Sequence, residues 1–514
     1  WYTGGFVVFV TVLAVLEQMG LPRATMGYVF LAATILLYAG IGIMSRTNDA
    51  AEYYVAGRRV PAMFNGMATG ADWMSAASFI GMAGGLYLQG YSGLAFIMGW
   101  TGGYVLVALF LAPYLRKFGQ FTIPDFLGAR YGGHVPRLVG IVIAIVCSFT
   151  YVVAQIYGVG LITTRLTGVD FTVGIFLGLA GILVCSFLGG MKAVTWTQVA
   201  QYIILIIAYM IPVVWLAVKQ TGVPVPQLIY GKQLEKVTQL EEKLINDPKE
   251  KEVRELFRKR AADADAKLKD PAVAYAEGKA ALEKALADLK AANGAPEDIK
   301  KAESALAAYP KSEADAKAAW GKEKGMASRA APPLRHGEAF PGKDENARDI
   351  ARKNFLALVF CLMVGTAALP HILMRYYTTP SVKEARDSVA WSLFFIFLLY
   401  FSAPALAVLV KFVIYNDVVG TAFASLPAWV QSWTKVDPSL LSITDINGDG
   451  MVQLAEISIG ADIVVLATPE IAGLPYVISG LVAAGGLAAA LSTADGLLLT
   501  IANALSHDLY YKMI

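Results

Sequence analysis

The residues with the clearest capacity for chemistry lie in a glycine- and hydroxyl-rich stretch at 65–85, NGMATGADWMSAASFIGMAGG, inside an apolar run. It carries Asp72, and an ionisable residue at membrane depth is costly and usually faces a cavity, a partner or an ion. The glycines predict a broken helix, whose freed carbonyls must be satisfied by neighbours or by a bound cation. The alternative is a tightly packed helix whose small residues merely let neighbouring helices approach closely.

A second set of oxygens occurs in the last hydrophobic stretch, 488–508. Ser492 and Thr493 follow Ala489 by three and four positions, so a carbonyl and two hydroxyls share one helical face. These groups would form half of a small site for a hard cation, and carbonyls of the broken helix near Asp72 would complete it. The alternative is that both hydroxyls bond back to their own helix, which is common in membranes.

The sharpest local motif is DINGDGMVQLAE at 445–456, which fits the twelve-residue EF-hand calcium loop position by position. Gly450 makes the turn at position six, and Val452 is the apolar residue at position eight. The predicted calcium ligands are Asp445, Asn447, Asp449, the Met451 carbonyl, Gln453 and a bidentate Glu456. Such loops in extracellular modules bind at about 0.1–1 mM, which favours a structural ion. The alternative is a polar turn without an ion.

Composition fixes the class of protein. Of 514 residues 56% are hydrophobic and 16% charged, whereas soluble domains are about a quarter charged. We therefore predict an all-α polytopic membrane protein. A net charge of +3 is too small and too dispersed to indicate nucleic-acid binding. The apolar spans are 3–21, 26–45, 62–86, 94–115, 135–157, 170–189, 197–217, 354–375, 389–413 and 474–505.

The first span, 3–21, could be the remnant of a signal sequence. It lacks a basic start and has Glu17 near its end, so we predict a membrane helix. The chain begins at Trp1 without a methionine, which suggests trimming at the amino end.

Basic residues are unevenly distributed between the two sets of short loops, which predicts the orientation. One set carries only Arg23, Arg165 and Lys435. The richer set is predicted to be cytoplasmic, which puts both ends of the chain inside and 218–353 outside. Its members are Arg46, Arg58, Arg59, Arg116, Lys117, Arg130, Lys192, Arg375, Lys383 and Arg386.

The segment 218–353 is rich in Ala, Lys and Glu, unlike the rest of the chain. Apolar residues with helical spacing predict several short amphipathic helices, and the Pro- and Gly-rich tail 330–342 resembles a linker. The segment could dock a protein partner. The alternative is a solvated insertion without a role in transport.

Several motifs together resemble the sodium:solute symporter family, and within it the acetate-permease-like branch. They occur in the family's order from about residue 49 to the end, interrupted by 218–353. The motifs are GADWMSAASFIG, RKFGQFTIPDF, FLGGMKAVTWTQ, AALPHILMRYYT and LSTADGLLLTIANALSHDLY.

The resemblance implies a LeuT-like fold of two inverted five-helix repeats, with ion and substrate near the bilayer midplane. The implied regions are 1–61, peripheral helices; 62–217, the first repeat; 218–353, the external insertion; and 354–514, the start of the second repeat. Only three helices of the second repeat are present, so we expect a fragment of a longer chain.

The resemblance also implies the site residues. The sodium ligands would be the carbonyls of Ala71, Met74 and Ala489 with the hydroxyls of Ser492 and Thr493. A substrate pocket is expected between 62–86 and 354–375, where the second helix could unwind near Pro370 and free its amides. Its predicted lining is Ser75, Ser78, Gln155, Gly365 and Thr366. His371 is interpreted as a packed histidine.

Two functions are therefore open at this point. The first is a sodium-coupled symporter, not an enzyme, that imports a small organic anion such as acetate across a bacterial inner membrane. The second is a membrane sensor with the same fold, coupled to a cytoplasmic signalling domain.

Overall fold

The computed structural model describes residues 2–292 and 294–514, and it is predominantly helical. Among the described residues, seven helical segments are long and apolar enough to cross a membrane. The first half contains α1 Tyr2–Gln18, α2 Arg23–Met44, α3 Ala50–Val55, α4 Ala62–Trp73, α5 Met82–Gln89, α6 Leu94–Leu106, α7 Ala112–Phe118, α8 Ile123–Tyr131, α9 His134–Thr167 and α10 Phe171–Thr221.

The insertion and the second half are also mostly helical. Their elements are α11 Pro226–Asn246, α12 Pro248–Lys267, α13 Pro271–Ala291, α14 Pro296–Ala308, α15 Glu313–Gly325, α16 Glu345–Ala367, α17 Pro370–Met374, α18 Val382–Tyr400, α19 Ala403–Val413, α20 Ala428–Val436, β1 Leu441–Ile443, β2 Ile457–Ile459, α21 Ile463–Ala472 and α22 Tyr476–Asn503. The strands β1 and β2 pair antiparallel.

The predicted break in the first helix of the core lies between α4 and α5. Met74 has non-helical dihedral angles, and a π-helical turn follows at Ala77–Gly81. The glycines also serve close packing, since a Cβ on Gly66 would come within 2.5 Å of the Trp391 Cβ. Both interpretations of this stretch therefore hold, because it is broken in its middle and tightly packed along α4.

A second break separates α16 from α17 at residues 368 and 369. Helix α10 contains a third break at Gly190, which has a φ of +50°. This break separates the two predicted spans 170–189 and 197–217. A Cβ on Gly190 would lie 2.6 Å from the Tyr53 carbonyl oxygen, so glycine is required there. Helix α22 packs against α2, α9 and α10, and nearly all of its residues are buried.

The segment 414–473, which the predicted spans leave as a loop, is more ordered than expected. It contains α20, the β1–β2 pair and the apolar helix α21, whose residues are almost all buried. Sequence reasoning missed α21 because its 10 residues are too few to register as a membrane span.

The insertion forms the predicted amphipathic helices, α11 to α15. Helices α11 and α12 pack inward through residues such as Val237 and Phe257. By contrast, α13 and α14 have no buried residues. The insertion therefore packs on the helical core through α11 and α12, whereas α13 and α14 project into solvent.

Candidate ion and substrate site

The break after α4 and the middle of α22 bring a group of oxygens together. The Ser492 hydroxyl donates to the carbonyls of Ala71 at 2.8 Å and Ala489 at 3.0 Å. The Thr493 hydroxyl donates to the carbonyls of Asp72 at 2.9 Å and Ala489 at 3.2 Å. Carbonyl and hydroxyl oxygens at a broken helix are suited to a sodium ion.

The structure thus brings together four of the predicted sodium ligands: Ala71, Ala489, Ser492 and Thr493. Met74 is fully buried at the break, but the carbonyl beside Thr493 is that of Asp72. Both hydroxyls also bond back to the Ala489 carbonyl of their own helix, which is the alternative given for this pair in the sequence analysis. Each also reaches α4, so the contacts join two distant elements.

Asp72 itself has a cationic partner. Its carboxylate accepts from the Arg375 Nε at 2.6 Å and from the Gln198 amide at 2.6 Å, and both charged side chains are fully buried. The Gln198 amide also donates to the Ser492 carbonyl at 2.8 Å. The network therefore links α4, α10, α22 and the turn after α17 directly beside the oxygen group.

Arg375 corrects one sequence-based assignment, because it had been counted with the basic cytoplasmic loops. Its side chain is 0% exposed, and it donates a further hydrogen bond to the Thr195 hydroxyl at 2.9 Å. The available signal was Asp72, whose position at membrane depth called for a partner of opposite charge.

Asp495 is a second buried carboxylate that sequence reasoning missed. It lies two residues beyond Thr493 and accepts a hydrogen bond from the Ser186 hydroxyl. Its other carboxylate oxygen has no hydrogen-bond partner among the described residues. Its position in the apolar run was the signal that could have identified it.

A cavity of about 170 Å³ lies between the two broken helices. Of the predicted substrate residues, Ser75, Ser78 and Thr366 line it. The remaining lining residues are Asp72, Trp73, Ala77, Trp100, Tyr151, Leu369, His371, Ile372 and Tyr400.

The other two predicted substrate residues lie outside this lining. The Gln155 side-chain oxygen accepts from the Ala76 backbone amide at 3.0 Å, so this side chain stabilises the broken segment from outside the cavity lining. Gly365 is exposed, with nothing within 4 Å of a Cβ built on it.

His371 differs from a fully satisfied packed histidine. It is 2% exposed and lines the cavity, and neither of its ring nitrogens has a hydrogen-bond partner among the described residues. The Ser78 and Tyr400 hydroxyls, which also belong to the lining, lie 2.8 Å apart and bond to each other. The cavity therefore offers polar groups on an otherwise aromatic wall.

The loop 445–456 adopts a compact turn. The Asp445 carboxylate accepts from the amides of Gly448 at 2.7 Å and Gly450 at 3.0 Å, and both glycines have φ above +70°. The Glu456 carboxylate accepts from the amides of Ile446 at 2.6 Å and Gln453 at 3.0 Å.

The side chains of the loop's predicted ligands are therefore occupied by internal contacts. The Asp449 carboxylate accepts from the Met451 amide at 2.9 Å and the Gln453 side-chain amide at 3.1 Å, and Asn447 accepts from the Asp449 amide. The loop carboxylates do not form a cluster with oxygens within 4.8 Å of one another in the described part of the chain.

Comparison with known proteins identifies the family. An uncharacterized symporter of Cupriavidus necator is 56% identical over 100% of this chain and 76% of its own length. The sequence model of the sodium:solute symporter family matches residues 53–260. The chain belongs to the sodium:solute symporter family. This symporter is a membrane transporter and not an enzyme.

More distant relatives agree on the class. A monocarboxylic acid transporter of Corynebacterium glutamicum is 26% identical over 75% of this chain and 55% of its own length. A Na⁺-coupled sialic acid symporter, solved substrate-bound and outward-open, superposes with a TM-score of 0.53 at 16% identity, covering 95% of this chain and 74% of that one. The symporter therefore has the LeuT-like inverted-repeat fold.

Proposed function

We propose that this sodium-coupled symporter carries a small organic anion, a monocarboxylate such as acetate, by alternating access. The observation that carries the proposal is the cavity of about 170 Å³ beside the oxygens of α4 and α22. The similarity to a protein named a monocarboxylic acid transporter supports the substrate class.

The cavity's size and chemistry favour a solute of a few heavy atoms, since water alone takes up about 30 Å³ per molecule. An N–H of His371 is a free donor for a carboxylate, whereas the Ser78 and Tyr400 hydroxyls bond to each other at 2.8 Å and would have to give up that contact to donate. Trp73 and Trp100 would pack against its apolar part. Aromatic walls with a few polar groups are typical of small-molecule sites.

The position of the oxygens supports a sodium site between α4 and α22. We propose that sodium binds at Ala71, Met74, Ala489, Ser492 and Thr493, with the Asp72 carbonyl as a further candidate. One ion would then hold the break of α4, in the proposed first repeat 62–217, against α22 in the proposed second repeat. Because the same break lines the cavity, sodium would organise the substrate site.

The first test is uptake of labelled acetate, lactate and pyruvate into proteoliposomes with and without a sodium gradient. Thr366→Val and Gln155→Leu should each weaken apparent substrate affinity about three- to tenfold, because they remove a polar group at the cavity or at its supporting break. Gly365→Ala is the matched control on the same helix as Thr366. Sodium-independent uptake would contradict the proposed sodium coupling, and substrate affinity unchanged in both variants would contradict the proposed pocket.

We propose that both ends of the described chain are cytoplasmic, in a bacterial inner membrane. Basic loop residues gather at one end of the helices in support of this orientation. The Arg58 guanidinium donates to the Gly119 carbonyl at 2.5 Å, and Arg116 donates to the Thr379 carbonyl at 2.7 Å.

We further propose that the loop 445–456 takes a structural calcium ion through its six predicted ligands. All motif positions are filled, and Gly448 and Gly450 supply the required left-handed turns. Calcium binding requires Glu456 to exchange its amide contacts for the ion.

Calcium should therefore raise the melting temperature of the purified protein. At about a hundred times its dissociation constant, an ion that binds only the folded loop stabilises it by about 2.7 kcal/mol. Glu456→Gln should abolish most of the difference between calcium and chelator, and magnesium should substitute poorly because it demands an octahedral shell. Glu283→Gln, on exposed α13, is the control. Identical melting in calcium and chelator would mean that the loop is an ordinary polar turn.

A further inference from the structure

A second cavity, of about 410 Å³, lies where the insertion meets the helical core. Its walls come from three parts of the chain. They are Tyr87, Leu88, Lys411 and Tyr415 of the core; Glu250, Arg254 and residues 328, 329 and 331–334 of the insertion; and Leu454 and Ala455 at the end of the loop 445–456, with Ile457 and Ile459 just after it.

Direct contacts fix these walls in place. The Glu250 carboxylate accepts from the backbone amides of Leu454 and Ala455, and Lys249 lies 3.6 Å from the Asp449 carboxylate. The His336 carbonyl accepts from the Tyr91 amide at 2.8 Å. The insertion surface that could have docked a partner is thus partly used by the chain itself, and the cavity is a built feature.

The side chains that line this cavity carry more positive than negative charge. Three cationic side chains line it, Lys411, Arg254 and Arg329, against one carboxylate, Glu250. Glu241, just behind the wall, lies 3.6 Å from the Lys411 ammonium and compensates that charge. The third cation, Arg329, has an electrostatic neighbour in the buried Glu456 carboxylate but forms no ion pair with it.

Arg329 is the third of these cations. It has no ion pair within the described residues, and its Nη2 is buried without a hydrogen-bond partner. Its guanidinium carbon lies 4.7 Å from the centre of the Phe257 ring, which is a cation–π contact. A buried guanidinium N–H without a partner is costly, and a ligand that accepts from it would remove that cost.

We propose that this second cavity binds a small carboxylate anion, with Arg329 as the principal contact and Arg254 and Lys411 supplying positive potential. The planar guanidinium matches a carboxylate in two parallel hydrogen bonds. The Glu250 carboxylate in the wall disfavours a doubly charged phosphate. Pro332, Pro333 and Ile459 provide an apolar surface for the organic part of the ligand.

The position of the second cavity suggests its use. Tyr87 lies near the end of α5, 12 residues beyond Ser75, or roughly 18 Å at the helical rise. The second cavity is therefore distinct from the central one and lies on the predicted external side. A positive site there would concentrate the anion near the entrance. This inference rests on the proposed function for its substrate class, while the binding itself does not require transport.

The test measures binding of acetate and pyruvate to the full chain in nanodiscs, in sodium-free choline buffer, by saturation-transfer NMR. The wild type should bind, and Arg329→Gln should weaken binding at least about tenfold. Arg329→Lys, which keeps the charge and lacks the planar fork, should be intermediate. Arg258→Gln on the exposed side of α12 should bind as the wild type does.

Two further comparisons separate this inference from the proposed function. Ser492→Ala/Thr493→Ala should keep the sodium-free binding even if it loses sodium-driven uptake. In uptake, Arg329→Gln should raise KM several-fold with kcat unchanged. No binding by the folded wild type, equal binding by folded Arg329→Gln, or equal competition by inorganic phosphate would overturn the assignment.

Discussion

Sodium-driven uptake at low sodium should fall about 30- to 150-fold when Ser492 and Thr493 are both replaced by alanine, because each lost hydroxyl costs about 1–1.5 kcal/mol. These hydroxyls span from α22 to the carbonyls of Ala71 and Asp72. Removing them leaves carbonyls that bind an ion less well. High sodium should partly restore uptake, so the measured quantity is the sodium concentration for half-maximal rate.

Thr500→Val is the matched control for this double variant. Thr500 is a buried hydroxyl on the same chain segment, and it donates back to the Gly496 carbonyl at 2.8 Å without reaching α4. Its loss should leave the sodium dependence unchanged. If the double variant shows the same half-maximal sodium concentration as the wild type, the sodium site lies elsewhere.

The buried Asp72–Arg375 pair should give the largest effect on stability. Removing one partner of such a pair leaves an uncompensated charge and typically costs about 3–5 kcal/mol. We expect Arg375→Gln and Asp72→Asn each to lower the melting temperature sharply, and Asp72→Asn/Arg375→Gln to be milder than either single variant. Thermal unfolding of the purified proteins measures all three.

The exposed pair Arg352–Asp349 on α16 is the control for the buried one. Its atoms also lie 2.6 Å apart, but both side chains are more than 40% exposed. Water already solvates these charges, so their neutralisation should change the melting temperature little. Single variants of the buried pair that are no worse than the double variant would show that the charges do not compensate each other.

The sequence predicted features that depend on local spacing. The glycines and hydroxyls of 65–85 predicted the break between α4 and α5, and the spacing of Ala489, Ser492 and Thr493 predicted their common face. Periodic apolar residues likewise predicted the insertion's helices. Each of these patterns is set within a few turns of one helix.

Features that depend on contacts between distant segments could not be predicted in this way. Arg375 is 303 residues from Asp72, and neither periodicity nor loop charge indicates that they pair. The Glu250 carboxylate accepts from the Leu454 amide, 204 residues away in the sequence. The sequence therefore did not predict that the insertion packs against the loop 445–456. Long-range pairing of polar groups depends on the packed arrangement of helices.

The projecting helices α13 and α14 have a practical consequence for imaging. Small membrane proteins surrounded by lipid or detergent give particles with few features for orientation. Because neither helix has a buried residue, a rigid binder raised against them, or a helical fusion partner, should leave the core undisturbed. Helices α13 and α14 thus offer an attachment site for a fiducial marker in electron microscopy, on the side of the membrane predicted to be external.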